Sequence, residues 1–138
     1  MEDLEFQCDQ CETMFTAPLY ALDQTTESMT ETAVGIEVGV DFAECVANFC
    51  SERCRDAGRA KVMAGYGVPV PDQRPTFDNG EPCAVCNEPV DVFAPHMVFS
   101  ESQIDLTASS PEPENFRYLA LVCAACEEKV VRGRIHAV

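Results

Sequence analysis

Cysteine is the residue in this chain best suited to chemistry: there are nine in 138 residues. Eight of them form four close pairs, Cys8 with Cys11, Cys50 with Cys54, Cys83 with Cys86, and Cys123 with Cys126. The thiolate is the nucleophilic and metal-binding form of cysteine. Zn²⁺ takes four ligands in a tetrahedron and binds thiolate tightly. A two-residue gap lets two sulfurs on one tight turn face a single ion. A second pair, from the first turn of a helix, completes the tetrahedron, and the helix N-terminus stabilises the negative charge. Iron in a rubredoxin-like site uses the same four-thiolate geometry, and redox dithiols or disulfides use similar pairs. The doubled pattern of pairs points most directly to zinc.

The pairs come in a repeating order. The gap between the first two is 38 residues and between the last two 36, so one unit occurs twice at an offset of about 75. Phe15, Ala17 and Pro18 follow the first pair; Phe93, Ala94 and Pro95 follow the third. Each unit then has a strand-like run that ends on its second pair, "CVANFC" and "YLALVC", and each second pair opens a helical stretch. The expected metal ligands are therefore Cys8, Cys11, Cys50 and Cys54 in one site and Cys83, Cys86, Cys123 and Cys126 in the other. Two zinc ions are implied. With four protein ligands each, they leave no open coordination position and are structural.

The elements that must hold these pairs can be read coarsely. Residues 5–11 are expected to run as a short strand into a knuckle, and "APLYAL" to be a strand. The polar residues 23–32 read as a loop or hairpin tip. In residues 33–42, Val34, Ile36, Val38, Val40 and Phe42 alternate with Gly and acids, as in a half-buried strand; the sharper reading is a strand edge offered to a partner. Ser51 is placed to cap a helix running to Ala64 and stopped by Gly65. The second unit is expected to have strands near 90–99 and 116–122, a loop at 107–115, and a helix over 124–132. These elements give a small α+β protein of two tandem units, 1–66 and 83–138, each a β-hairpin and a short helix. A Pro- and Gly-rich linker, 67–82, joins them; Val68, Val70 and Phe77 are apolar enough to pack it onto either unit. The units are expected to be separable.

"NFCSERC" resembles the knuckle of MYM-type and TRASH-type zinc fingers and is similar to that of MYND fingers, all treble-clef-like. The resemblance covers the first half of the chain and implies that Cys8, Cys11, Cys50 and Cys54 bind one metal. It also implies an interaction module rather than an enzyme. Glu12 and Asn87 stand where such knuckles usually have Gly. "LVCAACEEKV" resembles a generic treble-clef helix start.

Charge narrows the partner. The chain carries −15, with 24 acids against 9 bases. Residues 1–52 hold twelve acids and no base, and residues 75–116 hold eight acids and no base. Seven of the nine bases lie in two segments: Arg53, Arg55, Arg59 and Lys61, then Lys129, Arg132 and Arg134. Such a surface repels nucleic acid and attracts a basic partner. The expected function is non-enzymatic: a zinc-binding interaction or regulatory protein that binds a protein with a basic surface. One alternative is an acidic nucleic-acid mimic that inhibits a DNA- or RNA-binding machine, which resembles phage and mobile-element inhibitors in charge alone. The other is a zinc finger that binds nucleic acid directly through its basic helices. Glu52, Arg55, Asp56 and Arg59 share a helix face at pairing distance, and Glu128 and Arg132 are similarly spaced, so direct nucleic-acid contact is not expected.

Cys45 and the histidines remain. Cys45 is expected to be a buried small hydrophobe. His96 is a spare candidate ligand, but each site already has four. The start "MEDLEFQCDQ" is acidic with no apolar run, unlike a secretory leader, and no stretch approaches a membrane span. The expected location is the cytoplasm.

Overall fold

The computed structural model describes residues 5–71, 75, 80–110 and 112–136. Among these residues six strands and two helices follow in chain order: β1 Phe6–Gln7, β2 Met14–Phe15, β3 Leu19–Thr32, β4 Gly35–Phe49, α1 Glu52–Gly65, β5 His96–Ile104, β6 Glu114–Val122 and α2 Ala124–His136. This is an α+β chain. β1 and β2 pair as a small ribbon around the first cysteine pair, and the four longer strands form one antiparallel sheet in the order β4-β3-β5-β6. Among the described residues no helix is long and apolar enough to cross a membrane.

The repeat is built into the sheet. Each unit contributes one hairpin, β3–β4 or β5–β6. Pro18 and Pro95 stand immediately before β3 and β5, and these two strands pair antiparallel from Leu19↔Ile104 to Glu27↔His96. The equivalent strands of the two units thus meet edge to edge, centred on Asp23↔Ser100. One core cluster spans both units, with Leu22, Phe49 and Met63 from the first and Met97, Phe99, Leu121 and Val130 from the second. Phe99 also packs edge-on to Tyr66, their ring centroids 5.9 Å apart.

Three expectations about the elements are corrected. Residues 23–32 are not a loop but the larger part of β3. Threonine suits a pleated surface, and the stretch to Glu27 gains hydrogen-bonding neighbours on both sides; Gln24 and Glu27 are buried there despite their polarity. In residues 33–42 the strand begins at Gly35, and Ile36, Val38, Val40 and Phe42 are exposed rather than half-buried. β4 is a sheet edge, and past Glu27 its neighbour β3 no longer pairs with β5. The strand expected from residue 90 starts at His96, because Pro89 and Pro95 lack the N–H that a ladder needs; Pro89 makes only an isolated bridge with Pro82.

The helix termini follow local chemistry. Ser51 caps α1, its Oγ accepting from the Cys54 N–H at 3.1 Å. α1 includes Gly65, with Tyr66 as its C-cap, and the chain reverses at Gly67. Gly67 takes φ +79°, and the Gly67 and Val68 amides donate back to the Ala64 and Met63 carbonyls. That left-handed reversal favours glycine, which has no Cβ to strain it. It also brings Val68 and Met63, both fully buried, into the shared core. Val68 and the partly buried Val70 therefore pack against the core, while Phe77 lies outside the described residues. α2 extends past the expected end at Arg132 to His136. At Gly58, an added Cβ would lie 2.8 Å from the Phe49 ring and 3.0 Å from the Gln10 side chain, so the absence of a side chain lets α1 sit against the first knuckle.

Candidate metal centres

The structure brings the eight paired cysteines into two quartets, Cys8, Cys11, Cys50 and Cys54, and Cys83, Cys86, Cys123 and Cys126. Within each, all four sulfurs lie within 4.8 Å of one another. Sγ–Sγ separations are 3.6 Å for Cys11–Cys50, 3.8 Å for Cys50–Cys54 and 3.7 Å for Cys86–Cys123. No disulfide joins any of the nine cysteines. A tetrahedron with metal–sulfur bonds of about 2.3 Å has edges of about 3.8 Å, so each quartet could hold one metal ion.

The two centres are assembled by the same backbone contacts. In the first knuckle the Cys8 amide donates to the Thr13 carbonyl and the Glu12 amide to the Cys8 carbonyl; in the second, Cys83 donates to Glu88 and Asn87 to Cys83, at the same offsets. Glu12 and Asn87 both take φ 65°. These are the two positions where glycine was the usual residue, and the chain adopts the left-handed turn without it. Asparagine tolerates that region better than most residues; at Glu12 the turn is held by its amide's bond to the Cys8 carbonyl and by the Gln7 side chain, which donates to the Glu12 carbonyl at 3.3 Å. Each knuckle is then tied to the strand that carries the second cysteine pair. Asp9 donates its amide to the Asn48 carbonyl (2.8 Å), as Ala84 does to Leu121 (2.9 Å). The first site has an additional clamp, the Asn48 amide donating to the Asp9 carboxylate at 2.7 Å.

Amides and crowding divide the thiols of each quartet. The hydroxyl and amide of Thr13 hold the Cys11 thiol down to about 6. Burial acts against the Cys83 thiol, but amides of Cys123, Cys86 and Val85 outweigh it and bring it to about 7; the Val85 and Cys123 amides lie 3.4 and 3.3 Å from its sulfur. Burial and then the neighbouring thiols push Cys50 and Cys126 up to about 12. Four sulfurs this close do not all ionise without a cation among them.

Cys45 and His96 lie outside both quartets. Cys45 is exposed, not buried as expected. It pairs across the hairpin with Asp23, and its thiol donates to Asn48 Oδ1 at 3.1 Å. Although the residue is exposed as a whole, partial desolvation of its sulfur and then the charge of Asp23 push this thiol up to about 11. With both quartets metal-loaded, iodoacetamide is expected to modify Cys45 alone, about a hundredfold slower near pH 7 than an ordinary thiol, and faster as pH rises toward 11. Peptide mapping of the alkylated protein across a pH series checks this. His96 is buried, with Nδ1 2.8 Å from the Ala94 carbonyl.

A polar cluster that sequence reading did not anticipate binds the units together. Glu101 on β5 is fully buried. Arg59 of α1 donates to both its oxygens, at 2.8 and 3.1 Å. Arg55 Nε lies 3.4 Å away, and Arg117 on β6 pairs with it as well. Arg55 and Arg59 also pair with Glu52 and Asp56 along the helix, as the three-residue spacing predicted. The Arg55 guanidinium lies over the Tyr20 ring, 5.5 Å from its centroid. Two of the three arginines of α1, Arg55 and Arg59, are thus committed within the protein, while Arg53 and Lys61 are exposed. The one available signal for Glu101 was an acid inside the otherwise strand-like "HMVFSESQI".

No protein-family model, curated protein or solved structure matches this chain.

Proposed function

We propose that this is a non-enzymatic, zinc-stapled binding protein, with one structural Zn²⁺ in each cysteine quartet. The observation that carries it is the sulfur spacing, 3.6–3.8 Å on the measured edges, which fits a four-thiolate tetrahedron. Each unit runs knuckle, hairpin, helix, with ligands from the knuckle and the helix start, and we read both as treble-clef-like. Zinc is preferred over iron because it needs no redox partner and suits a closed site of this kind.

The partner we propose is a protein with a basic surface. Residues 1–52 carry twelve acids and no base, and two of the four bases of α1, Arg55 and Arg59, are tied to Glu101, Glu52 and Asp56 and so withdrawn from any phosphate. The exposed apolar residues of β4 favour an interaction module over a nucleic-acid mimic, which would need acids with few apolar contacts. The test presents the immobilised, zinc-loaded chain to host lysate at about 0.1 M and about 1 M salt, where the Debye length falls from about 10 to about 3 Å. Basic proteins should be retained at low salt and should elute in part at high salt. Retention of nucleic acid instead, or of no basic protein, would contradict this reading.

A further inference from the structure

Five of the nine exposed large hydrophobics among the described residues lie on one short stretch: Val34 (95% exposed), Ile36 (59%), Val38 (46%), Val40 (54%) and Phe42 (51%). All but Val34 are on β4, and Val34 is in the turn before it. Contiguous exposed apolar surface marks an interaction site or an aggregation hazard. The edge itself is also open. β4 ends the sheet, and among the described residues no strand pairs with its outer side. At its far end Asp9 occupies both the N–H and the C=O of Asn48, so the free edge lies toward the hairpin tip. A long strand edge presents unpaired N–H and C=O groups ready to template another strand, and proteins blunt such edges with charged side chains, Lys above all, with Pro or with bulges. β4 contains no Lys or Pro, and from Gly35 to Val40 it pairs with β3 without a register shift.

Register defines what the edge would select. Ile36, Val38 and Val40 lie opposite Glu31, Met29 and Glu27, so they share one face. Glu37 and Gly39 lie opposite Thr30 and Ser28 on the other face. Asp41 is the extra residue at the register shift between Thr26 and Glu27, and it ends the regular stretch. Residues 35–40 extend about 20 Å. A strand laid along them meets Ile36, Val38 and Val40 on one face and Glu37 on the other; Asp41 follows at the register shift, and beyond it Phe42, opposite Thr26, lies on the Glu37 face. No base in residues 1–52 neutralises these acids. In a second copy paired antiparallel about Gly39, Glu37 would approach Asp41 of the other copy, and like charges close across a sheet destabilise it. The acids thus discourage self-pairing while favouring a cationic strand.

We propose that residues 35–40 of β4 dock an extended segment of a partner protein by strand addition, and that this segment alternates apolar and basic residues. This rests on the basic-partner reading above and specifies where and how that partner binds. Main-chain hydrogen bonds supply affinity in such a mode, and alternate side chains supply specificity.

The test uses the full zinc-loaded chain and a capped octapeptide of alternating valine and lysine, read by fluorescence anisotropy and by amide hydrogen exchange. The peptide should bind and protect amides within residues 35–40. N-methylation at every second residue should weaken binding at least about tenfold in one phase and little in the other, because only alternate amides face the edge. Valine–glutamate peptide should not bind. Val38→Thr with Val40→Thr, and separately Glu37→Gln with Asp41→Asn, should each weaken binding at least about tenfold with zinc content unchanged. Equal binding by both N-methylated phases, or protection on β6 instead, would overturn the edge site and leave the basic-partner reading standing. No binding of the valine–lysine peptide by a chain that still retains basic proteins from lysate would do the same. Failure to retain basic proteins as well would sink both. Concentration-dependent dimers lost in the Val38→Thr, Val40→Thr variant would make a second copy the occupant and overturn the proposal.

Discussion

Cys83→Ser is expected to reduce bound zinc from two ions to one and to destabilise the whole chain, not the second unit alone. A structural zinc site is worth about 10–16 kcal/mol in small zinc-finger peptides, while whole domains are stable by only about 5–15 kcal/mol. Loss of the second ion would therefore release the knuckle around Cys83, which donates its Ala84 amide to Leu121 at the end of β6. β6 pairs with β5, and β5 with β3 of the first unit. Leu22, Phe49 and Met63 share their core with Met97, Phe99 and Leu121. On sequence alone the units read as separable; the β3–β5 pairing predicts instead one cooperative transition, shifted to lower temperature. Elemental analysis together with calorimetry checks both parts. A first unit that keeps its zinc and melts at an unchanged temperature would show that the shared sheet does not couple the units.

The second large effect is expected at Glu101. Its carboxylate is fully buried among Arg55, Arg59 and Arg117. Glu101→Gln removes the one anion facing three guanidinium groups and leaves Arg55, itself buried, without that counter-charge. Breaking a buried ion pair from one side typically costs about 3–5 kcal/mol, and urea unfolding of the zinc-loaded protein should show a loss of that order. Arg117→Gln is the contrast. Arg117 is over a third exposed, and Glu101 keeps its two arginines from α1, so the cost should be about 1 kcal/mol or less. Equal, small losses for both variants would mean that the cluster is a surface ion pair in its energetics.

The two cysteine quartets were legible because the spacing of such pairs is local. Two sulfurs three residues apart on a turn, and two more at a capped helix start, can be placed without knowing the rest of the fold. Ser51 as cap and the Glu52–Arg55 and Asp56–Arg59 pairs on α1 were legible for the same reason. What the sequence concealed depends on partners distant in the chain. Residues 23–32 look like a loop because their polarity is visible and their two neighbouring strands are not. The alternation from Val34 to Phe42 signals a strand but does not say what covers its apolar face; the structure shows those residues exposed on an edge strand, with nothing among the described residues covering them. Glu101 reads as a surface acid until β5 is found in the sheet interior beneath α1. The left-handed turns at Glu12 and Asn87 were hidden because sequence preference there points to glycine, and the knuckle's hydrogen bonds override it.

The most direct test of the central claim is native mass spectrometry of the purified chain, with its metals identified by elemental analysis. Two zinc ions per chain are predicted, both lost on chelation together with the folded state, and none of the nine cysteines should be disulfide-bonded. One zinc or none, iron in place of zinc, or quartet thiols lost to disulfides would contradict the account.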